Sequence, residues 1–198
     1  MFSRQPGFAA PKKQPGTLNG LDTKQLSETV EALEGDPTLA RFEFRNENRW
    51  IRGGENRSSI RGFYGAGKED DSRDAPFVFT NGEPPILLGQ NEGANPVEFL
   101  LHALAGCVTT TFVVHATARG IPVKRVETKL KGKLDLQGFL DLKDDVPAGY
   151  ESIQIEMDVD SDAPDEQIDE LIQFAPGHSP VSSTIRRAVD VQISRAAH

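Results

Sequence analysis

Asn95-Pro96-Val97-Glu98-Phe99-Leu100-Leu101-His102-Ala103-Leu104-Ala105-Gly106-Cys107 is the stretch from which the rest of the chain can be read. Asn95 has a side-chain oxygen suited to cap a helix. Pro96 suits the first helical position, where its missing N–H has no partner to lose. Glu98, three residues after the cap, can return a hydrogen bond to the cap's own N–H. From Phe99 to Val114 the residues are apolar almost all round, which predicts a long helix buried in the fold rather than laid on its surface. Gly120, after Arg119, supplies the stop.

Upstream, the pattern is that of short strands. Phe42 and Phe44 alternate with charged residues. Trp50-Ile51 and Ser59-Ile60 flank a turn at Gly53-Gly54, and Phe77-Val78-Phe79 precedes a turn at Thr80-Asn81-Gly82. Lys68 to Asp74 reads as a charged loop. Before Leu39 the chain reads as a flexible tail to about residue 20, with a short helix from Leu21 to Leu33 capped by Asp22 or Thr23 and ended at Gly35-Asp36-Pro37.

Downstream, Val126, Thr128, Leu130, Gly132, Leu134 and Leu136 alternate as one long strand, and Ile153, Ile155, Met157 and Val159 as another, each with a wet, charged face. Between and beyond them, residues 137–170 hold 12 acids and one base, read as solvated loops and faces. A helix is expected from Pro164, broken at Ala175-Pro176-Gly177. A second short helix follows Ser179-Pro180, and a closing strand carries Val189, Val191 and Ile193. Strands, helix, two long strands, two helices and a strand do not alternate as in a doubly wound sheet, so the expected class is α+β. The expected division is a tail at 1–39 and one domain at 40–198.

The 198 residues carry a net charge of −8 and one cysteine. The charge disfavours nucleic acid and anionic membranes as partners. A single cysteine leaves no intrachain disulfide, which points to a reducing compartment. The first residues contain Arg4, Lys12 and Lys13 without the apolar run of a secretory signal. No stretch approaches the roughly 20 apolar residues of a membrane helix. A cytoplasmic protein is therefore expected. HExxH, CxxC, GxSxG and phosphate-binding glycine loops are absent, so no metal or cofactor is expected.

Candidate chemistry centres on Cys107. A reactive thiol needs a lowered pKa and access. The helix N-terminus is too far to help, because its field fades within the first turn. An arginine could help, and Arg49, Arg52, Arg57 and Arg61 lie upstream. Glu98 could orient such an arginine, or simply serve as the cap partner of Asn95. His102 faces away from Cys107 on the helix. His115 lies near the same face but two turns along, so a direct Cys–His pair is not expected.

The stretch Asn95 to Cys107 resembles the central helix of OsmC-like proteins, a family that includes the organic hydroperoxide resistance proteins. Gly120-Ile121-Pro122-Val123 is similar to the family's next element. His178-Ser179-Pro180-Val181-Ser182-Ser183-Thr184 resembles its late Cys-Pro-Val-Ser stretch. The likeness runs over roughly residues 40–196. It implies an intertwined homodimer in which antiparallel sheets wrap the long central helices. It also implies a thiol peroxidase whose cysteine attacks a small-molecule hydroperoxide, aided by an arginine and a glutamate. On this resemblance Cys107 is the attacking thiol and Arg57 the arginine, with Arg52 a near competitor.

Two departures from the pattern stand out. Ser179 occupies the place of the family's second cysteine, so an external thiol would have to act as reductant. Val97 occupies the place of the usual glutamate, with Glu98 beside it. The rival expectations are a non-catalytic scaffold that binds a small apolar ligand near Phe99, Leu104 and Val108 or senses redox state, and an N-terminal arm of 39 residues that docks a partner.

Overall fold

The computed structural model describes residues 16–196. It is a mixed α and β fold with antiparallel sheets, and it divides into two compact units. Of the described residues, one comprises 16–21 and 103–196, the other 22–102. The first 15 residues of the expected tail lie outside the described residues.

The first unit holds the apolar core. Helix α2 (Pro96–Ala118) contributes Leu104, Val108, Phe112 and Ala116, all buried. Their spacing of four residues places them on one helical face. Strands β9 (Val123–Leu134) and β10 (Tyr150–Ser161) pair antiparallel, with Val159 opposite Val126, Met157 opposite Thr128 and Ile155 opposite Leu130. Val126, Leu130, Ile153, Ile155, Met157 and Val159 pack against the core. The other face of the pair is ionic, with Arg125 bonded to both Glu127 and Asp158. Helix α4 (Asp165–His178) adds Ile168, Leu171 and Ala175, and α5 (Pro180–Arg186) adds Val181.

The expected buried helix is buried on one face only. Ala103, Gly106 and Thr110, on its opposite side, are exposed. By length and composition α2 is also long and apolar enough to cross a membrane, contrary to the sequence expectation. Within the chain its Leu104–Ala116 stripe is core. Gly120 ends the turn after it with φ 71°, a left-handed conformation that glycine adopts without a Cβ clash.

Residues 16–20, expected as tail, belong to a small hairpin of β1 (Thr17–Leu18) and β2 (Leu21–Asp22). At its turn the Asn19 amide donates to Thr117 Oγ1 (3.1 Å) and to the Ile121 carbonyl (2.9 Å). Its Oδ1 accepts from the Val123 N–H at 2.7 Å. One side chain thus ties the N-terminal hairpin to the junction of α2 and β9.

The second unit is built of short elements. Helix α1 (Thr23–Gly35) starts where Asp22 accepts from the Lys24 and Gln25 N–H groups, the expected cap. Strands β3 (Glu43–Phe44), β6 (Phe63–Gly65) and β7 (Lys68–Asp70) form one sheet. The start of the expected charged loop is therefore an edge strand. Strands β4 (Glu47–Arg52), β5 (Glu55–Ile60) and β8 (Phe77–Asn81) form another in the order β4-β5-β8.

Three further expectations are corrected. Leu136 does not extend the long strand but opens a short helix α3 (Leu136–Phe139), where Asp135 caps the Gln137 N–H. Pro176 does not break α4, which runs on to His178. The proline stands in the last turn, so few helical bonds are left for it to disrupt. Residues 188–196 form no strand, and Val191 and Ile193 are 77% and 93% exposed.

Candidate functional site

The helix start forms as its residues dictate. The Glu98 N–H donates to Asn95 Oδ1 and the Asn95 N–H to Glu98 Oε2, both at 2.8 Å. This reciprocal pair satisfies two otherwise orphaned donors. It also engages the Glu98 carboxylate at the cap.

Three turns on, Cys107 is partly exposed. It lies between the buried positions Leu104 and Val108 and the exposed Gly106. Its carbonyl accepts from Thr111 Oγ1 at 2.8 Å. Leu104 and Val108, expected near an apolar ligand, are 3% and 0% exposed and belong to the core. Phe99 meets Phe79 edge-on at 6.1 Å and His102 at 6.4 Å.

Arg52 and Arg57 are organised by a residue that sequence reading missed. Glu55 is 6% exposed, and it is the one charged side chain buried among the described residues. Its Oε1 accepts from Arg57 Nη2 and its Oε2 from Arg52 Nε, each at 3.1 Å. The geometry follows from the hairpin. Glu55 and Arg57 are two apart on β5 and so share a face, and Arg52 is Glu55's partner across the turn. The Arg52 hydrogen bond, with Arg57 behind it, holds the Glu55 carboxyl below its ordinary range against the opposing effect of burial. The spacing Arg52-x-x-Glu55-x-Arg57 about Gly53-Gly54 was the available signal.

Ser179 is fully buried, and its Oγ accepts from the Ser182 N–H at 3.3 Å as the cap of α5. Beside it, His178 stacks on Phe174 with ring centres 3.6 Å apart, and His115 meets the same ring edge-on at 4.7 Å. Burial, then the neighbouring His178 and Arg119, push the His115 imidazole below its ordinary pKa. No group of three or more His, Cys, Asp or Glu side chains converges among the described residues.

A family model described as OsmC-like protein matches residues 89–194. Solved structures with the same fold include an OsmC-like protein from Mycoplasma pneumoniae, at 17% identity and TM-score 0.55, covering 73% of this chain and 87% of that one. An organic hydroperoxide resistance protein OsmC from Legionella pneumophila superposes at 14% identity and TM-score 0.52, covering 72% and 88%. An osmotic stress induced and detoxification response protein from Psychrobacter arcticus does so at 12% and 0.53, covering 70% and 85%. A sequence comparison with curated proteins gives no match.

Proposed function

Since the chain belongs to the OsmC-like family, we propose that it is a one-cysteine thiol peroxidase acting on small organic hydroperoxides, with Cys107 as its nucleophile. The observation that carries the reading is a sole, partly exposed cysteine three turns into the Asn95-Pro96-x-Glu98 helix. The name of the Legionella neighbour points to the same substrate class.

The Cys107 thiolate attacks the terminal peroxide oxygen. The O–O bond breaks, the alkoxide leaves and takes a proton to become the alcohol, and the sulfur is oxidised to a sulfenic acid. An external thiol then attacks that sulfur and displaces water. A second equivalent of thiol reduces the mixed disulfide and restores Cys107. The reductant must be external because the chain has one cysteine and Ser179 is committed to a helix cap. The resemblance gives Arg57 the part of the arginine that aids the thiol, and within its own unit Arg57 Nη2 donates to Glu55 Oε1. Glu98 starts and orients the helix that carries Cys107.

The same reading makes the protein a cytoplasmic homodimer in which sheets wrap the central helices. Its support is uncovered apolar surface. Trp50, Phe77 and Val78 are 70%, 55% and 61% exposed on the β4-β5-β8 sheet. Apolar faces of this kind are commonly covered by a partner.

The test is the rate of free-thiol loss and of hydroperoxide consumption when the protein meets an organic hydroperoxide. Fast loss of the single thiol in the wild type, and no consumption of the hydroperoxide by Cys107→Ser, are expected. Slow loss, or consumption that survives Cys107→Ser, would mean that the fold is kept without this catalysis.

A further inference from the structure

We propose that His115 and His178 form a two-imidazole site for a divalent transition-metal ion of the Cu2+, Ni2+ or Zn2+ class, completed by water. The proposal is independent of the peroxidase reading. The two rings come from different helices and their centres lie 5.8 Å apart, with planes at 63°. With metal–nitrogen bonds of about 2.0–2.1 Å, two imidazoles on one ion have ring centres roughly 5–6 Å apart. Imidazole is the ligand type that suits these metals.

The tautomer of one ring is fixed for the task. His178 Nδ1 lies 3.1 Å from the Phe174 carbonyl oxygen. A carbonyl only accepts, so Nδ1 carries the hydrogen, and the neutral ring presents its lone pair on Nε2. Metal-binding histidines are typically oriented by such a bond from the other ring nitrogen. Phe174 steadies both rings, stacked on His178 and edge-on to His115. Ordering both rings before an ion arrives lowers the entropy lost on binding.

The electrostatic setting is mixed, and its two parts can be separated by experiment. His115 stands in the last turn of α2 and His178 is the last residue of α4. Two helix C-termini, each with partial negative charge, therefore carry the pair. Opposing the ion is Arg119, whose guanidinium lies 4.8 Å from the Phe174 ring centre. Its charge is partly offset by Glu170 at 3.0 Å. His178 is exposed, which leaves room for water as the remaining ligands.

The experiment is calorimetric titration of the full-length, metal-stripped protein with Cu2+ or Ni2+ alone. One saturable site per chain is expected. His178→Ala, at an exposed position, should weaken it at least tenfold while the far-UV circular dichroism stays unchanged. His115→Gln should do the same, Arg119→Gln should tighten binding, and Cys107→Ser and His102→Gln should leave it as it is. No saturable binding by the wild type, binding that survives His178→Ala, or binding lost with Cys107→Ser would each overturn the proposal.

Discussion

The two units bury different things. The unit built on residues 103–198 has a continuous apolar core from Leu104 to Ala175, with Phe112 and Leu171 at 0% exposure. The unit of residues 22–102 has no buried apolar side chain among its described residues. What it buries is polar, Glu55 and Asn81, while Phe44 and Trp50 are 72% and 70% exposed. One unit is held by excluded water, the other by strand pairing, stacked rings and ion pairs such as Arg45 with Glu43 and Glu69. Elements without an apolar core are marginal alone, so the second unit is the part of the molecule that gains most from a covering surface.

The largest test of this contrast is Phe112→Ala, which should cost about 3–5 kcal/mol through lost burial and a cavity, measured by denaturant unfolding. Its counterpart, Trp50→Ala, should cost no more than about 0.5 kcal/mol if the exposed indole stays exposed in solution. A larger, concentration-dependent loss in Trp50→Ala would show instead that a second copy covers that sheet. Next is Asn19→Ala, which leaves the Val123 N–H without its partner and should lower stability by about 1–3 kcal/mol. Ser179→Ala removes a cap and should cost about 1 kcal/mol; a much larger loss would mean that the buried hydroxyl does more than cap α5.

The smallest effect is a pH dependence confined to the second unit. Glu55's folded pKa lies below its ordinary value, so the unfolded chain binds the proton more readily. The carboxylate's stabilising effect is therefore complete above the ordinary value of 4.5 and is lost as pH falls below it. Glu55→Gln should flatten that part of the stability–pH profile, and an unchanged profile would place the acid sensitivity elsewhere.

What could be read from the sequence was local. The Asn95–Glu98 box, the Asp22 cap, the Gly53-Gly54 hairpin and the Ser179-Pro180 start all act over three or four residues, and all form. Cys107 stands out in the sequence because it is the only cysteine. The Arg52–Glu55–Arg57 fork was not, because it needs the register of the hairpin rather than its existence. The pairing of His115 with His178 depends on how two distant helices pack, which no spacing encodes. The closing strand failed for a related reason. Alternation at Val189, Val191 and Ile193 shows that a strand is sterically welcome, but a strand also needs a neighbour, and residues 188–196 have none. The expectation that no stretch has the length and composition of a membrane helix missed α2, because a core helix that is apolar almost all round passes the same test.

Asn19 also sets a clock. Its partners stand 98, 102 and 104 positions further along the chain. At about 5–20 residues per second of synthesis, the hairpin at residues 16–22 is made roughly 5–20 s before the backbone it grips. This hairpin is thus made well before it can lock. A nascent chain stalled before residue 117 would carry that hairpin unclasped.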